Sequence, residues 1–460
     1  MVFIGTFTER PYQDPKLMDA KARGMADLVA SNGDYNGELG RDLYHRYFDE
    51  KIYAEQMGFD GLMLNEHHSS YGCMGNAMNI EAAILARITT KGKIGLIGNI
   101  LPIHDDPLLL AEQLAMIDVI SGGRLITGWV RGTGRESVAT DTATPYNWER
   151  YQEAHDLIKA AWTIPGPFRW EGDFFQYRYV NPWPRPFQRP HPPMFIPGAL
   201  SRNTVKWAAE HAYTYIMLTT KLELTRQSLE YYREVAREVG YEAGPEHLGY
   251  MFPVRVDETE ELAMVTGKKF AAGPNNQFIE GNQGAETDDS AFTYVERGDA
   301  LRGKKPWERK ALGTVLRNLP GMTQTNNLLP AANTYRGRDG AVLRGAAPLP
   351  VSNGPIANRS FEQQVADGDF IVGTPKTVLP QIRRVMETLR AGTLIFRDGD
   401  GVQTHEETMR GMRLMGEEII PAVREMAKEL GLAGPFDKDP QASLPAHAAA
   451  VARPAEITIR

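Results

Sequence analysis

Eight short apolar runs recur along this chain, and nearly all are separated by longer amphipathic stretches. The runs are Val2–Phe7, Phe59–Leu64, Ile94–Leu101, Arg124–Val130, Met194–Pro197, Tyr213–Leu218, Leu248–Val256 and Thr393–Arg397. The helical stretches are Arg41–Met57, Met78–Thr89, Pro107–Ile120, Trp148–Trp162, Ser201–His211, Leu222–Gly240, Pro375–Arg390 and His405–Leu430. Strands that alternate with helices imply an α/β fold with a parallel sheet and right-handed crossovers. Eight such units is the number that closes a TIM (β/α)8 barrel, and a doubly wound open sheet is the alternative. The helix at Pro107 is the best marked. Asp106 can cap it, Pro107 suits its first position, Leu110, Leu114 and Ile117 share one face, and Ser121-Gly122-Gly123 ends it.

Two segments break the alternation. "FRWEGDFFQYRYV" reads as a hairpin, followed by a proline-dense connector from Pro182 to Pro193. Residues 265–367 are rich in Gly, Asn and Pro, and so long a stretch of low periodicity is expected as an insertion or mobile active-site loop. The barrel then occupies 1–264 and 368–433. Residues 434–460 form a Pro/Ala-rich tail that either packs on a partner subunit or dangles.

Composition removes several classes of function. A net charge of −7 argues against nucleic acid as the main partner, because binding a polyphosphate needs a basic footprint. A single cysteine, Cys73, allows no internal disulfide and fits a reducing compartment. No run approaches the ~18–20 apolar residues of a membrane span, and "MVFIGTFTERPY" is apolar for too few residues to be a signal. The expected setting is cytoplasmic, away from membranes.

The stretch "NEHHSS" (Asn65–Ser70) places two imidazoles beside a carboxylate, which suggests a metal site. Its position at a strand end argues otherwise, since adjacent side chains there point to opposite faces and His67 and His68 cannot easily share an ion. It also lacks the His-Glu-x-x-His spacing of a zinc protease, as does "HEETM" at His405, so no metal is expected. "GTGRES" (Gly132–Ser137) lacks the third glycine of a dinucleotide loop, and "GDALRGKK" has Lys305 where a phosphate loop carries Ser or Thr.

Several blocks taken together resemble the bacterial luciferase-like flavin monooxygenase family. They are Glu66-His67-His68, then "GCMGNAMNIEAAILARIT" and "KIGLIGNILPIHDDPLLLAEQLAMIDVISGGRLITGWVRGTGRE", then "RPFQRPHPPMFIPGALSRNTVKWAAEH", "FIVGTPKTVLPQIRRVMETL" and "MRLMGEEIIPAVREM". The match covers most of residues 1–260 and 365–430, and the tail lies outside it. The resemblance implies a TIM barrel that uses reduced FMN, supplied by a separate flavin reductase, to capture O2 as a C4a-(hydro)peroxide. That species would oxidise a small organic substrate. A homodimer is implied by the resemblance alone. Other readings are a deazaflavin-dependent dehydrogenase on the same fold, a non-catalytic flavin-binding protein and a metal-dependent barrel hydrolase.

Under this resemblance His67 matches the family's catalytic histidine and would manage a proton, a task suited to imidazole. Its plain alternative is a histidine satisfied by hydrogen bonds at the barrel rim. Arg131 matches the phosphate-holding arginine. Ser201 and Thr204 open a helix whose N-terminus favours an anion, although Ser201 could also be a simple N-cap. Arg150 is a second phosphate candidate. Ile97-Gly98 matches the non-prolyl cis peptide beneath the flavin, and the amide of Asn99 would face the flavin or bind barrel backbone. Glu66 and His68 are read as orienting groups. Asp118 and Arg124 are assigned an ion-pair or capping role, Cys73 that of a small apolar residue, and Trp129 either a pocket wall or barrel packing.

Overall fold

A computed structural model describes residues 1–17, 31–132, 134–140, 142, 146–199, 201–218, 221–271, 334–336, 342–344, 360–446, 448 and 457–459. The chain opens with β1 (Phe3–Phe7), α1 (Gly37–Gln56), β2 (Gly61–Leu64), α2 (Met78–Ile88), β3 (Lys93–Leu96), β4 (Asn99–Ile100) and α3 (Pro107–Ser121). It continues through β5 (Leu125–Val130), α4 (Gly134–Ala139), α5 (Asn147–Thr163), β6 (Phe168–Glu171), β7 (Gln176–Val180), β8 (Met194–Gly198), α6 (Arg202–Glu210) and β9 (Thr214–Leu218). Then come α7 (Leu222–Val239), β10 (Leu248–Val256), α8 (Glu260–Ala271), β11 (Thr334–Arg336), β12 (Val342–Arg344), α9 (Phe361–Ala366) and β13 (Ile371–Gly373). The last elements are α10 (Pro375–Leu389), β14 (Thr393–Arg397), α11 (His405–Leu414), α12 (Ile420–Glu429) and β15 (Ile457–Ile459).

Eight parallel strands close on themselves in the order β1-β2-β3-β5-β8-β9-β10-β14. The closing pairs are Gly249↔Thr393 between β10 and β14, and Phe3↔Thr393 between β14 and β1. This is the TIM barrel, not the open sheet. Alternate residues turn inward, and Phe3, Phe7, Met63, Ile97, Ile126, Phe195, Ile216, Met251 and Ile395 fill the interior as a packed core. The outward residues pack against the helices. Leu110, Leu114 and Ile117 of α3 are buried there, and the helix begins and ends as its sequence implies: Asp106 accepts from the N–H of Leu109, and Gly122 takes φ +67°.

Four elements differ from expectation. The run Ile94–Leu101 is two strands, β3 and β4, divided at a cis Ile97–Gly98 peptide. The closing helix is α11 and α12 joined by a π turn at Met415–Ile419. The expected insertion begins too early, because α8 runs on through Ala271, and its far end contains α9. Apart from β11 and β12, residues 272–359 lie outside the described residues. Where it is described, the tail packs on its own chain. Gly434 donates its N–H to Met1, the ring of Phe436 packs 5.1 Å from that of Phe3 beneath the barrel, and β15 pairs antiparallel with β6 of the hairpin. Among the described residues, no helix is long and apolar enough to cross a membrane.

Candidate active site

The C-terminal strand ends of a TIM barrel carry its chemistry, and the polar side chains gather there. Glu66, buried at the end of β2, accepts hydrogen bonds from the Ile100 N–H (2.9 Å), His68 Nε2 (2.9 Å) and His104 Nε2 (3.4 Å). Burial pushes its pKa up, but the hydrogen bonds from His104, His68 and the Ile100 amide outweigh that and hold the carboxyl at about 2. Glu66 is therefore a fixed anion that ties the end of β2 to β4.

His67 turns elsewhere. Its Nδ1 lies 2.8 Å from Glu136 Oε1 on α4, and its Nε2 lies 3.7 Å from Glu9 Oε2 just beyond β1. Asn76 holds its carbonyl at 3.0 Å. The two histidines of "NEHHSS" thus serve different carboxylates. Among the described residues, no group of three or more His, Cys, Asp or Glu is placed to hold a metal ion.

Glu9 is itself held in place. Asn65 Nδ2 donates to its Oε2 at 2.5 Å, Arg397 lies 3.6 Å from its Oε1, and its N–H donates to Asp400. Arg397 Nε also donates to Asp400 at 2.6 Å, so one network joins the ends of β1, β2 and β14. Sequence reasoning missed Glu9, Glu136, Arg397 and Asp400. For Glu9, Arg397 and Asp400 the available signal was position, at or just past a strand end, whereas Glu136 in "GTGRES" carries no such signal.

A second cluster forms where β5 and β8 end. Arg131 Nη2 and Thr204 Oγ1 both donate to Ser201 Oγ, each at 3.2 Å. Ser201 occupies the cap position of α6, yet its side chain makes no capping bond, so it is not a plain N-cap. An oxygen that accepts from two donors still has its own hydrogen to give. It sits at the first turn of α6, where backbone N–H groups lack helical partners and the dipole favours negative charge. Burial pushes the Arg131 pKa down, opposed by Tyr151 and Tyr215, and the guanidinium lies 5.4 Å over the Trp148 ring.

The structure does not bring Arg150 to this cradle. Its Nε donates to the Pro102 carbonyl (2.8 Å) and its Nη2 reaches Asp105 (3.0 Å), stapling the loop after β4. Gly98 packs so closely that a Cβ would come within 2.6 Å of the Gly128 carbonyl carbon and oxygen, so strand packing by itself requires glycine there. Asn99 donates to Asn79 Oδ1 at 3.2 Å on α2, while its own Oδ1 is buried without a hydrogen-bond partner among the described residues. Trp129 is fully buried with its ring 6.2 Å from that of Trp162, which makes it packing between barrel and helix. Burial pushes the Cys73 thiol up to about 12. Asp118 binds Gln188 of the proline-rich connector, and Arg124 caps carbonyls at Ala86 and Thr89. Both are structural, through separate partners.

The strand ends thus carry a donor cluster that can hold an anion and a histidine whose two ring nitrogens face carboxylates. A family model described as luciferase-like monooxygenase matches residues 44–311, more than half of the chain. The beta chain of alkanal monooxygenase from Photorhabdus luminescens is 24% identical over 253 residues, covering 53% of this chain and 77% of that one. An FMNH2-dependent dimethylsulfone monooxygenase from Pseudomonas putida is 33% identical over 156 residues, covering 32% of this chain and only 41% of the relative. Among solved structures, a monooxygenase from Streptomyces bottropensis superposes with a TM-score of 0.62 at 20% identity, covering 92% of this chain and 99% of that one.

Proposed function

The chain belongs to the luciferase-like monooxygenase family, and from that premise we propose that it is the oxygenase of a two-component system. It would use reduced FMN from a separate flavin reductase, together with O2, to oxidise a small organic substrate. The observation that carries this reading is the cradle: Ser201 leaves its helix uncapped and instead meets Arg131 and Thr204. The donor set suits a phosphate monoester, with a partly buried guanidinium, two hydroxyls and the first-turn amides. Reduced flavin, when bound, supplies the electrons that activate O2. The chain's own work is to anchor the phosphate through Arg131, Ser201 and Thr204, and to hold a proton on His67 at the same rim.

A homodimer is part of the proposal. Ile80, Ile84 and Ile88 form an exposed stripe on α2, beside exposed Met116, Val119 and Ile120 on α3, and Asn79 and Gln113 link the two helices at 3.1 Å. Contiguous apolar surface of this kind marks an interface. Light scattering should report a dimer that Ile84→Glu converts to monomer; a monomeric wild-type protein ends that part of the proposal.

The function is tested by oxygen uptake with FMN, NADH and a flavin reductase across a panel of small organic compounds. Uptake coupled to substrate oxidation, beyond the background of peroxide release, supports the reading. Selective reduction of a deazaflavin without such uptake overturns it. His67→Ala should slow turnover and leave FMN affinity largely intact.

A further inference from the structure

We propose that Glu136 is a positioning residue for His67: it accepts the Nδ1 hydrogen and so sets both the orientation and the tautomer of the ring. This rests on the reading above, in which His67 handles a proton.

The geometry is specific. Glu136 Oε1 lies 2.8 Å from His67 Nδ1, within hydrogen-bond distance, whereas Glu9 Oε2 lies 3.7 Å from Nε2 and beyond it. Glu136 is 1% exposed and His67 keeps 26% of its side chain accessible, so the carboxylate belongs to the protein interior and the imidazole to the rim. The local fold delivers the carboxylate. Gly132 takes φ +73° where the chain leaves β5, and a Cβ there would fall 2.5 Å from Ile100 Cγ2, so only glycine turns so tightly against β4. α4 follows at once, and the Glu136 carbonyl accepts from both the N–H and the hydroxyl of Thr140, at 3.1 and 2.9 Å.

An ionised carboxylate only accepts hydrogen bonds, so the ring nitrogen facing it must carry hydrogen. In neutral His67 that places the hydrogen on Nδ1 and the lone pair on Nε2, the nitrogen that faces Glu9. Fixing one ring nitrogen by its partner determines what the other can do. Among the described residues, charged groups facing the ring include Glu136 from α4, Glu9 from the end of β1 and, behind Glu9, Arg397 from β14. Proton exchange at Nε2 then takes place in a setting that Glu136 prepares and Glu9 faces.

Histidine-selective 15N NMR on the full chain, without cofactor, tests this directly. His67 is assigned by the resonances lost in His67→Ala. Titrated upward in pH until the neutral ring appears, wild-type His67 should carry its hydrogen on Nδ1, and Glu136→Leu should shift the neutral ring to the Nε2–H form. A wild-type spectrum with hydrogen on Nε2 overturns the proposal even if Glu136→Leu fails to fold. A folded Glu136→Leu protein with unchanged tautomer also overturns it. Oxygen uptake with reduced FMN supplies the second readout: Glu136→Leu should lower kcat by about 10- to 100-fold with KM for FMN nearly unchanged. If His67→Ala leaves turnover unchanged, the catalytic reading of His67 fails, whatever the tautomer. If His67→Ala slows turnover and Glu136→Leu moves neither readout, the positioning role alone fails.

Discussion

Glu66→Gln removes the anion that ties β2 to β4, and its cost can be worked from the site. Burial alone would raise the pKa of Glu66, but donors from His104, His68 and the Ile100 amide bring it from an ordinary 4.5 to about 2. That difference is worth about 3 kcal/mol in favour of the folded state when the group is ionised. The folded value lies below the unfolded one, so the contribution is complete above pH 4.5 and is lost as pH falls toward 2. Urea unfolding at pH 5 should therefore show a lower midpoint for Glu66→Gln, by about 1 M if the slope is about 3 kcal/mol per molar. At pH 3.5 the gap between wild type and variant should narrow by roughly a third, because the wild-type carboxylate has begun to lose its advantage. Equal midpoints at pH 5, or a gap that widens between pH 5 and pH 3.5, would refute the reasoning. Either result would mean that Glu66 is not the charged tie its partners indicate.

Three further outcomes follow from the same geometry. Arg131→Ala should weaken FMN binding by about 10- to 100-fold, the worth of one hydrogen bond to a charged group, as read by quenching of flavin fluorescence; Ser201→Ala should cost less. Equal affinity in both variants would move the phosphate elsewhere. Gly98→Ala would place a methyl 2.6 Å from the Gly128 backbone, which cannot yield as a side-chain tip can, so thermal melting should show a loss of about 3 kcal/mol. Cys73 is buried and its thiol is pushed up to about 12, so a thiol reagent at pH 8 should label it only after unfolding; fast labelling of the native protein would contradict that burial.

The barrel was legible in the sequence because each strand is a local pattern. Leu248–Val256 and Thr393–Arg397 match β10 and β14 residue for residue. The small second core was not legible. Ala263 and Phe270 of α8 pack with Phe361, Phe370 and Val372, and β13 extends the sheet through Val254↔Ile371. Those partners lie on either side of about a hundred residues of low periodicity, where no local spacing connects them. The division at the site follows the same rule. His67 and Arg131 could be named because they match the family's motif at strand ends, and Ser201 and Thr204 because they open a helix whose N-terminus favours an anion. Arg150 also stands near a helix start, yet the Pro102 carbonyl and Asp105 claim its guanidinium, and only side-chain distances reveal this. Glu136 shows the converse. Nothing in the spacing of "GTGRES" marks its carboxylate, and its meaning comes from being 2.8 Å from a ring 69 residues earlier in the chain. The two carboxylates that share the adjacent histidines then part in role for a physical reason. Glu66 is saturated by the Ile100 amide and two imidazoles and serves to lock the rim. Glu136 lies 2.8 Å from one nitrogen of His67 on the interior side, while the other nitrogen lies 3.7 Å from Glu9, the geometry that the proposed proton role of His67 requires.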